Sequence, residues 1–145
     1  MDHPVIEQKL ESLRRALHRV EEKCPNDAAT LEKDYDAQDI LALNLTRAVQ
    51  LCVDIGAHLI SATEFPPPGT MGQTFEVLTD AGIINSELAV RMKKAVGFRN
   101  LAVHNYDAIN WEIVHSIAQS RLTDFEEFAK AVVVALNRRD KDARN

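Results

Sequence analysis

The sequence predicts an all-α fold, a single antiparallel bundle of about five helices. Three observations carry this. Apolar residues recur every three to four positions over most of the chain, no stretch alternates with the period of two that a half-buried strand requires, and no internal repeat is present. The 145 residues suffice for one domain with a sizeable core and are too few for two. The domain is expected to span 1–145, with an ordered core over about 4–137 and a charged tail, Arg138 to Asn145.

The first helix is expected from about Pro4 to Glu22. Ile6, Leu10, Leu13, Leu17 and Val20 form its apolar stripe, and Pro4 suits a first helical turn. Glu7, Lys9, Glu11, Arg14, Arg15 and Arg19 read as a solvated face. Residues 25–36 are polar apart from Leu31 and Tyr35, and read as a loop with a short turn. Asp36 then caps a second helix over about Ala37 to Ser61. Leu41, Leu45, Ala48, Cys52, Ile55 and Leu59 make its main stripe, while Arg47, Leu51, Asp54 and His58 make another on the far side. A helix with two such stripes is expected to be central.

Phe65-Pro66-Pro67-Pro68-Gly69 breaks helical structure and separates helices. Thr70 to Gln73 reads as a capping box, so a third helix starts at Met71, and Gly82 supplies its left-handed stop. Asn85 or Ser86 caps a fourth helix. Asn110 caps a fifth from Trp111 to about Asn137, with a kink or split near Leu122 signalled by Thr123 to Glu126.

Composition narrows the function classes. Apolar residues make up 46% and charged residues 27%, the balance of a soluble globular domain. There is no run of eighteen apolar residues, and Met1-Asp2-His3-Pro4 lacks the basic-then-apolar start of a secretory signal, so a cytoplasmic protein is expected. Cys24 and Cys52 have neither metal-ligand nor CxxC spacing and read as reduced, structural residues. Net charge is −5, with 17 basic residues against 22 acidic ones, which argues against a broad nucleic-acid surface. Any RNA contact must rely on a local basic patch. No cluster has metal-ligand spacing and no Gly-rich phosphate loop precedes a helix, so neither metal nor cofactor is expected.

The most informative stretch is Arg99-Asn100-Leu101-Ala102-Val103-His104-Asn105-Tyr106, at the end of the fourth helix. On a helical wheel Arg99 falls within the apolar stripe of Leu88, Met92, Ala95, Val96, Ala102 and Val103, where a guanidinium is costly unless paired or facing a cavity. Tyr106 returns to within about 20° of Arg99, and His104 lies about 140° away with Asn100 between. Lys93, Gly97, Asn100 and His104 form a polar stripe. Gly97 inside a helix marks a close approach of another backbone or a ligand. The resulting arc of roughly 160° is wider than one small pocket needs, and two copies facing each other would close it into a cleft.

Arg99, four residues, His104, one residue, Tyr106 resembles the Arg-x4-His-x-Tyr signature of HepT-type toxins, members of the HEPN superfamily of small helical domains. The polar Asn100 after the arginine also fits. The likeness extends through Asn44 to His58 and Thr74 to Leu78, covering about residues 5–137. It implies a homodimeric, metal-independent endoribonuclease, with Arg99, His104 and Asn100 as catalytic residues. It also implies an MntA-like minimal nucleotidyltransferase antitoxin that attaches AMP to Tyr106. Arg47, Asp54, Lys93 and Gly97 are candidate cleft-lining residues, the first two through the same likeness. A rival reading is a catalytically silent HEPN subunit that presents substrate or nucleotide to the transferase. A structural reading pairs Arg99 with Asp54 and makes His104 and Tyr106 core polar residues.

The residue types suit RNA cleavage. The ribose 2′-hydroxyl is itself the nucleophile, a histidine can take or return a proton, and an arginine can hold the phosphate through two donors. Asn100, about one turn before His104, could orient the imidazole or donate to the same phosphate.

Overall fold

A computed structural model of the chain describes residues 3–144 and, of Arg144, the backbone alone. Met1, Asp2 and Asn145 lie outside the described residues. These contain seven α-helices, one 3-10 turn and no strand, in accord with the expected all-α class.

Helix α1 (His3–Lys23) buries Ile6, Leu13, Leu17 and Val20, with Leu10 partly buried on the same stripe. The polar segment that follows is not a loop. Residues Ala28–Lys33 form a short helix, α2, whose start is capped where Asp27 Oδ1 accepts from the Thr30 N–H at 2.7 Å. Its one large apolar residue, Leu31, is fully buried, and α2 lies against helices on either side of it in space. Helix periodicity needs at least two turns with apolar anchors to show, and six residues supply one anchor.

Helix α3 (Tyr35–Ser61) begins two residues earlier than expected. Its N-cap is Asp34, not Asp36: Asp34 Oδ1 accepts from the Ala37 N–H at 3.0 Å, while the Asp34 N–H closes α2 on the Thr30 and Leu31 carbonyls. Buried Gln38 completes the junction by donating Nε2 to the carbonyls of Leu31 (3.0 Å) and Glu32 (3.1 Å). The main α3 stripe is as expected, with Leu41, Leu45, Ala48, Cys52, Ile55 and Leu59 at most 1% exposed. Each fully buried Leu or Ile contributes about 1.5–3 kcal/mol. Helix α3 is central and touches all six other helices. By length and composition alone, part of this helix would suffice for a membrane span. Here that apolarity is used in burial on both sides.

Helix α4 (Met71–Asp80) starts as expected, with Thr70 Oγ1 accepting from the Gln73 N–H at 3.1 Å. The Gln73 side chain reaches back to the Gly69 N–H at 2.8 Å, one residue further than a standard capping box. Gly82 has φ +74, and the Gly82 and Ile83 N–H groups bond the Thr79 and Leu78 carbonyls, so the helix ends in a Schellman motif. Helix α5 (Ser86–His104) is capped by Asn85, whose Oδ1 accepts from the Leu88 N–H at 2.8 Å.

The last expected helix is split, at Arg121, into α6 (Trp111–Ser120) and α7 (Leu122–Arg144). Asn110 caps α6 as expected, through the N–H groups of Glu112 (3.0 Å) and Ile113 (3.3 Å). Thr123 lies inside α7 and marks the split without being its cap. The tail from Arg138 is helical as far as Arg144 rather than frayed. Its anchors are Arg139, half-buried and donating Nη2 to the Leu59 carbonyl at 3.2 Å, and Asp140, 3.5 Å from the His3 ring.

Candidate active site

Helix α5 carries the motif at its open end. Leu88, Met92 and Val96 are buried, Ala95 and Ala102 partly so. Val103, expected on the same inward face, is 50% exposed. The wheel assumes cover along the whole helix, whereas burial on α5 stops at Val96, and the last two turns are at most half-buried in the single chain.

Arg99 sits at this transition. It is half-buried, its Nη1 donates to Asn100 Oδ1 at 3.1 Å, and its Nε is shielded from solvent with no hydrogen-bond partner. A shielded, unpartnered guanidinium N–H carries a desolvation cost that an anionic ligand would relieve. His104 is the last residue of α5 and is exposed. Five residues of helix put the Arg99 and His104 Cα positions about 7.5 Å apart along the axis.

Tyr106 does not continue the helix. Asn105 adopts φ −151, ψ 61, its N–H closes on the Leu101 carbonyl at 2.8 Å, and Tyr106–Ala108 form the 3-10 turn. The near-coincidence of Tyr106 with Arg99 on a continuous wheel therefore does not apply. The turn swings the tyrosine toward the start of α3, where its hydroxyl donates to Asp39 Oδ1 at 2.5 Å. Its ring meets Trp111 edge-on, with centroids 5.7 Å apart. Burial, then the hydrogen bond to Asp39, push the phenol well above its ordinary range. Asp39 and Trp111 are the residues that sequence reasoning missed as partners of the motif. Asp39 lies 67 positions from Tyr106, and no spacing rule links them.

The polar stripe is present: Lys93, Gly97, Asn100 and His104 are all exposed. Lys93 is engaged, with its ammonium paired to Glu76 on α4. Gly97 faces open space, with nothing within 4 Å of where a Cβ would stand. Arg47 and Asp54 face α1 instead. Arg47 lines a groove with Ser12, Arg15 and Arg19, and Asp54 is held by Lys9 at 3.5 Å and by Gln50 Nε2 at 3.0 Å. Neither is hydrogen-bonded or ion-paired with Arg99 or His104, so the buried Arg99–Asp54 pair is not formed. Lys9 accordingly leaves the solvated face assigned to it. His115 bonds the Pro25 carbonyl at 2.8 Å, a contact between α6 and the turn before α2.

An apolar groove of about 420 Å³ runs beside α5, floored by Leu45, Val49, Phe98 and Leu101 and edged by Arg91, Lys94 and Arg121. Gly97 borders it; Arg99, His104 and Tyr106 do not. Among the described residues no group of three or more His, Cys, Asp or Glu side chains is placed to hold a metal ion.

With Arg99 and His104 in the last turns of α5 and Tyr106 in the 3-10 turn beyond it, the chain matches, over residues 13–132, a family described as Ribonuclease HepT-like. The chain belongs to the HepT-like ribonuclease family. It is 31% identical over 128 residues to a Shewanella oneidensis protein named mRNA nuclease HepT, covering 88% of this chain and 96% of that one. A toxin–antitoxin crystal structure with AMP-PNP superposes with a TM-score of 0.84 at 30% identity, over 91% of this chain and 99% of the other. A tri-AMPylated Shewanella oneidensis HEPN toxin in complex with its MNT antitoxin superposes at 0.85 and 30% identity, over 92% and 99%. The HepT-like assignment agrees with the resemblance seen in the Arg99–Tyr106 motif.

Proposed function

We propose that this protein is the toxin of a toxin–antitoxin pair, a metal-independent cytoplasmic endoribonuclease that acts as a homodimer. Its neutralisation is assigned to a minimal nucleotidyltransferase that attaches AMP to Tyr106. The observation that carries the reading is Arg99, with a shielded and unpartnered Nε, one residue from Asn100 and one helical turn and a half from exposed His104. The relative named as an mRNA nuclease and the AMP-PNP-bound and AMPylated toxin structures support it.

In the reaction the 2′-hydroxyl attacks the adjacent phosphorus and expels the 5′-oxygen, leaving a 2′,3′-cyclic phosphate. His104 carries a proton to or from the reacting oxygens, an effect worth about 10²–10⁴ in rate. The Arg99 guanidinium stabilises charge growing on the phosphoryl oxygens. Asn100 holds Arg99 through its Oδ1, an orienting role toward the guanidinium rather than toward the imidazole. A second copy would bring its own Arg99–His104 set to face the first and close a shared cleft, with Gly97 and Lys93 at its edge. Arg47 and Asp54 join such a cleft only where a partner's α1–α3 face is brought to it.

The experiment is incubation of the purified protein with total RNA in EDTA, beside an Arg99→Ala control. Cleavage that survives chelation and leaves cyclic or 3′-phosphate ends is expected. A strict magnesium requirement, or 3′-hydroxyl ends, overturns the mechanism.

A further inference from the structure

The hydrogen bond between Tyr106 and Asp39 joins two chemistry-bearing groups that RNA cleavage does not use. Asp39 lies on the second turn of α3 and is exposed, and no ion pair engages it among the described residues. Tyr106 is 37% exposed, so the hydroxyl–carboxylate pair lies at the protein surface. Trp111 fixes the far side of the ring, and the 3-10 turn, closed by the Ala108 N–H on the Asn105 carbonyl at 3.0 Å, fixes its backbone. The phenol is held at both ends with its proton directed at a carboxylate. A surface tyrosine needs none of this to stay folded.

We propose that Asp39 is the proton acceptor for nucleotidyl transfer to Tyr106, so that this chain supplies part of the machinery of its own modification. The inference rests on the reading of Tyr106 as the AMP acceptor. Tyr106 Oη attacks the α-phosphorus of a nucleoside triphosphate held by the partner transferase. The Oη–Pα bond forms as the bond from Pα to the bridging oxygen breaks, and that electron pair leaves with pyrophosphate. The Oη proton passes to Asp39 Oδ1 and from there to solvent, to which Asp39 is open. No oxidant or reductant is involved. A neutral phenol is a poor nucleophile, and removing its proton as the new bond forms is the help that a positioned carboxylate gives.

The test follows AMP addition by intact mass, using the full-length protein, its cognate transferase and magnesium ATP over a range of pH. Asp39→Asn preserves shape and can still contact the hydroxyl, but accepts the proton poorly. It is expected to slow AMP addition by about 10²–10⁴-fold and to make the residual rate climb more steeply with pH than the wild-type rate. Asp39→Glu is expected to fall between the two, and thermal melts of both variants are expected to match the wild type. Asp39→Asn modified at the wild-type rate, or slowed with the wild-type pH profile, overturns the proposal while leaving Tyr106 as acceptor. Wild type that gains no AMP mass, or Tyr106→Phe that gains it equally, overturns the acceptor assignment and this proposal with it.

Discussion

Gly56 on α3 faces Thr74 on α4 so closely that a Cβ at Gly56 would stand 2.6 Å from Thr74 Cγ2 and 3.1 Å from Leu78 Cδ1. Thr74 is 1% exposed and β-branched, so it has little freedom to yield. Gly56→Ala is therefore expected to destabilise the chain: overpacking costs about 1–3 kcal/mol, against a helix-propensity gain of at most about 1 kcal/mol. A melt shifted down by several degrees checks this. An unchanged or raised midpoint would mean that α4 is free to move away.

Gly97 is the converse case. In the single chain an added methyl there meets nothing, so Gly97→Ala is expected to raise chain stability by up to about 1 kcal/mol. If two α5 helices approach across a shared cleft, the same substitution weakens self-association. Sedimentation at graded concentrations reads the second effect and denaturant titration the first. A wild-type dimer constant in the variant refutes the placement of Gly97 near a two-fold axis.

Arg99→Ala and His104→Ala are each expected to reduce RNA cleavage by at least about 10²-fold, from loss of charge stabilisation and of the proton carrier respectively. Helicity should be retained, because both residues lie beyond Val96, where burial on α5 ends. A variant that unfolds assigns the residue a structural role. His104→Ala with near-wild-type cleavage rejects its role in proton transfer.

Tyr106 gives a pH test with a definite sign. Its phenol is raised above the ordinary value of 10.0, first by burial and then by Asp39. A raised folded-state value means that the contribution to stability is complete below the unfolded value and is lost as pH rises toward the folded one. Wild type should therefore lose stability relative to Tyr106→Phe as pH rises above about 10, by a small amount because the group is partly exposed. Parallel urea midpoints over that range would show that the hydrogen bond does not persist in solution.

The two thiols should differ in reactivity. Cys52 is fully buried on α3, and burial pushes its thiol well above the usual range. Cys24 is half-buried, with its Sγ donating to the Pro25 carbonyl at 3.5 Å. A thiol reagent is expected to titrate Cys24 in the native protein and Cys52 only after denaturation. Equal rates would mean that the α1–α3 interface opens readily.

The amino-acid sequence by itself determined the helical class, the α3 core stripe, the caps at Thr70 and Asn110, the stop at Gly82 and the position of the Arg99–Tyr106 motif, and narrowed the α5 cap to Asn85 or Ser86. Each of these depends on spacing or on one side chain bonding to backbone within four residues. Tertiary structure decided the rest. Helix α2 exists because Leu31 found a core and Gln38 took its last carbonyls, neither of which a six-residue window contains. The helical tail depends on Arg139 meeting a carbonyl 80 residues away. Asp54 chose Lys9, and Tyr106 left the helix for Asp39, because a wheel fixes direction around one axis and says nothing of where that axis ends or what stands opposite.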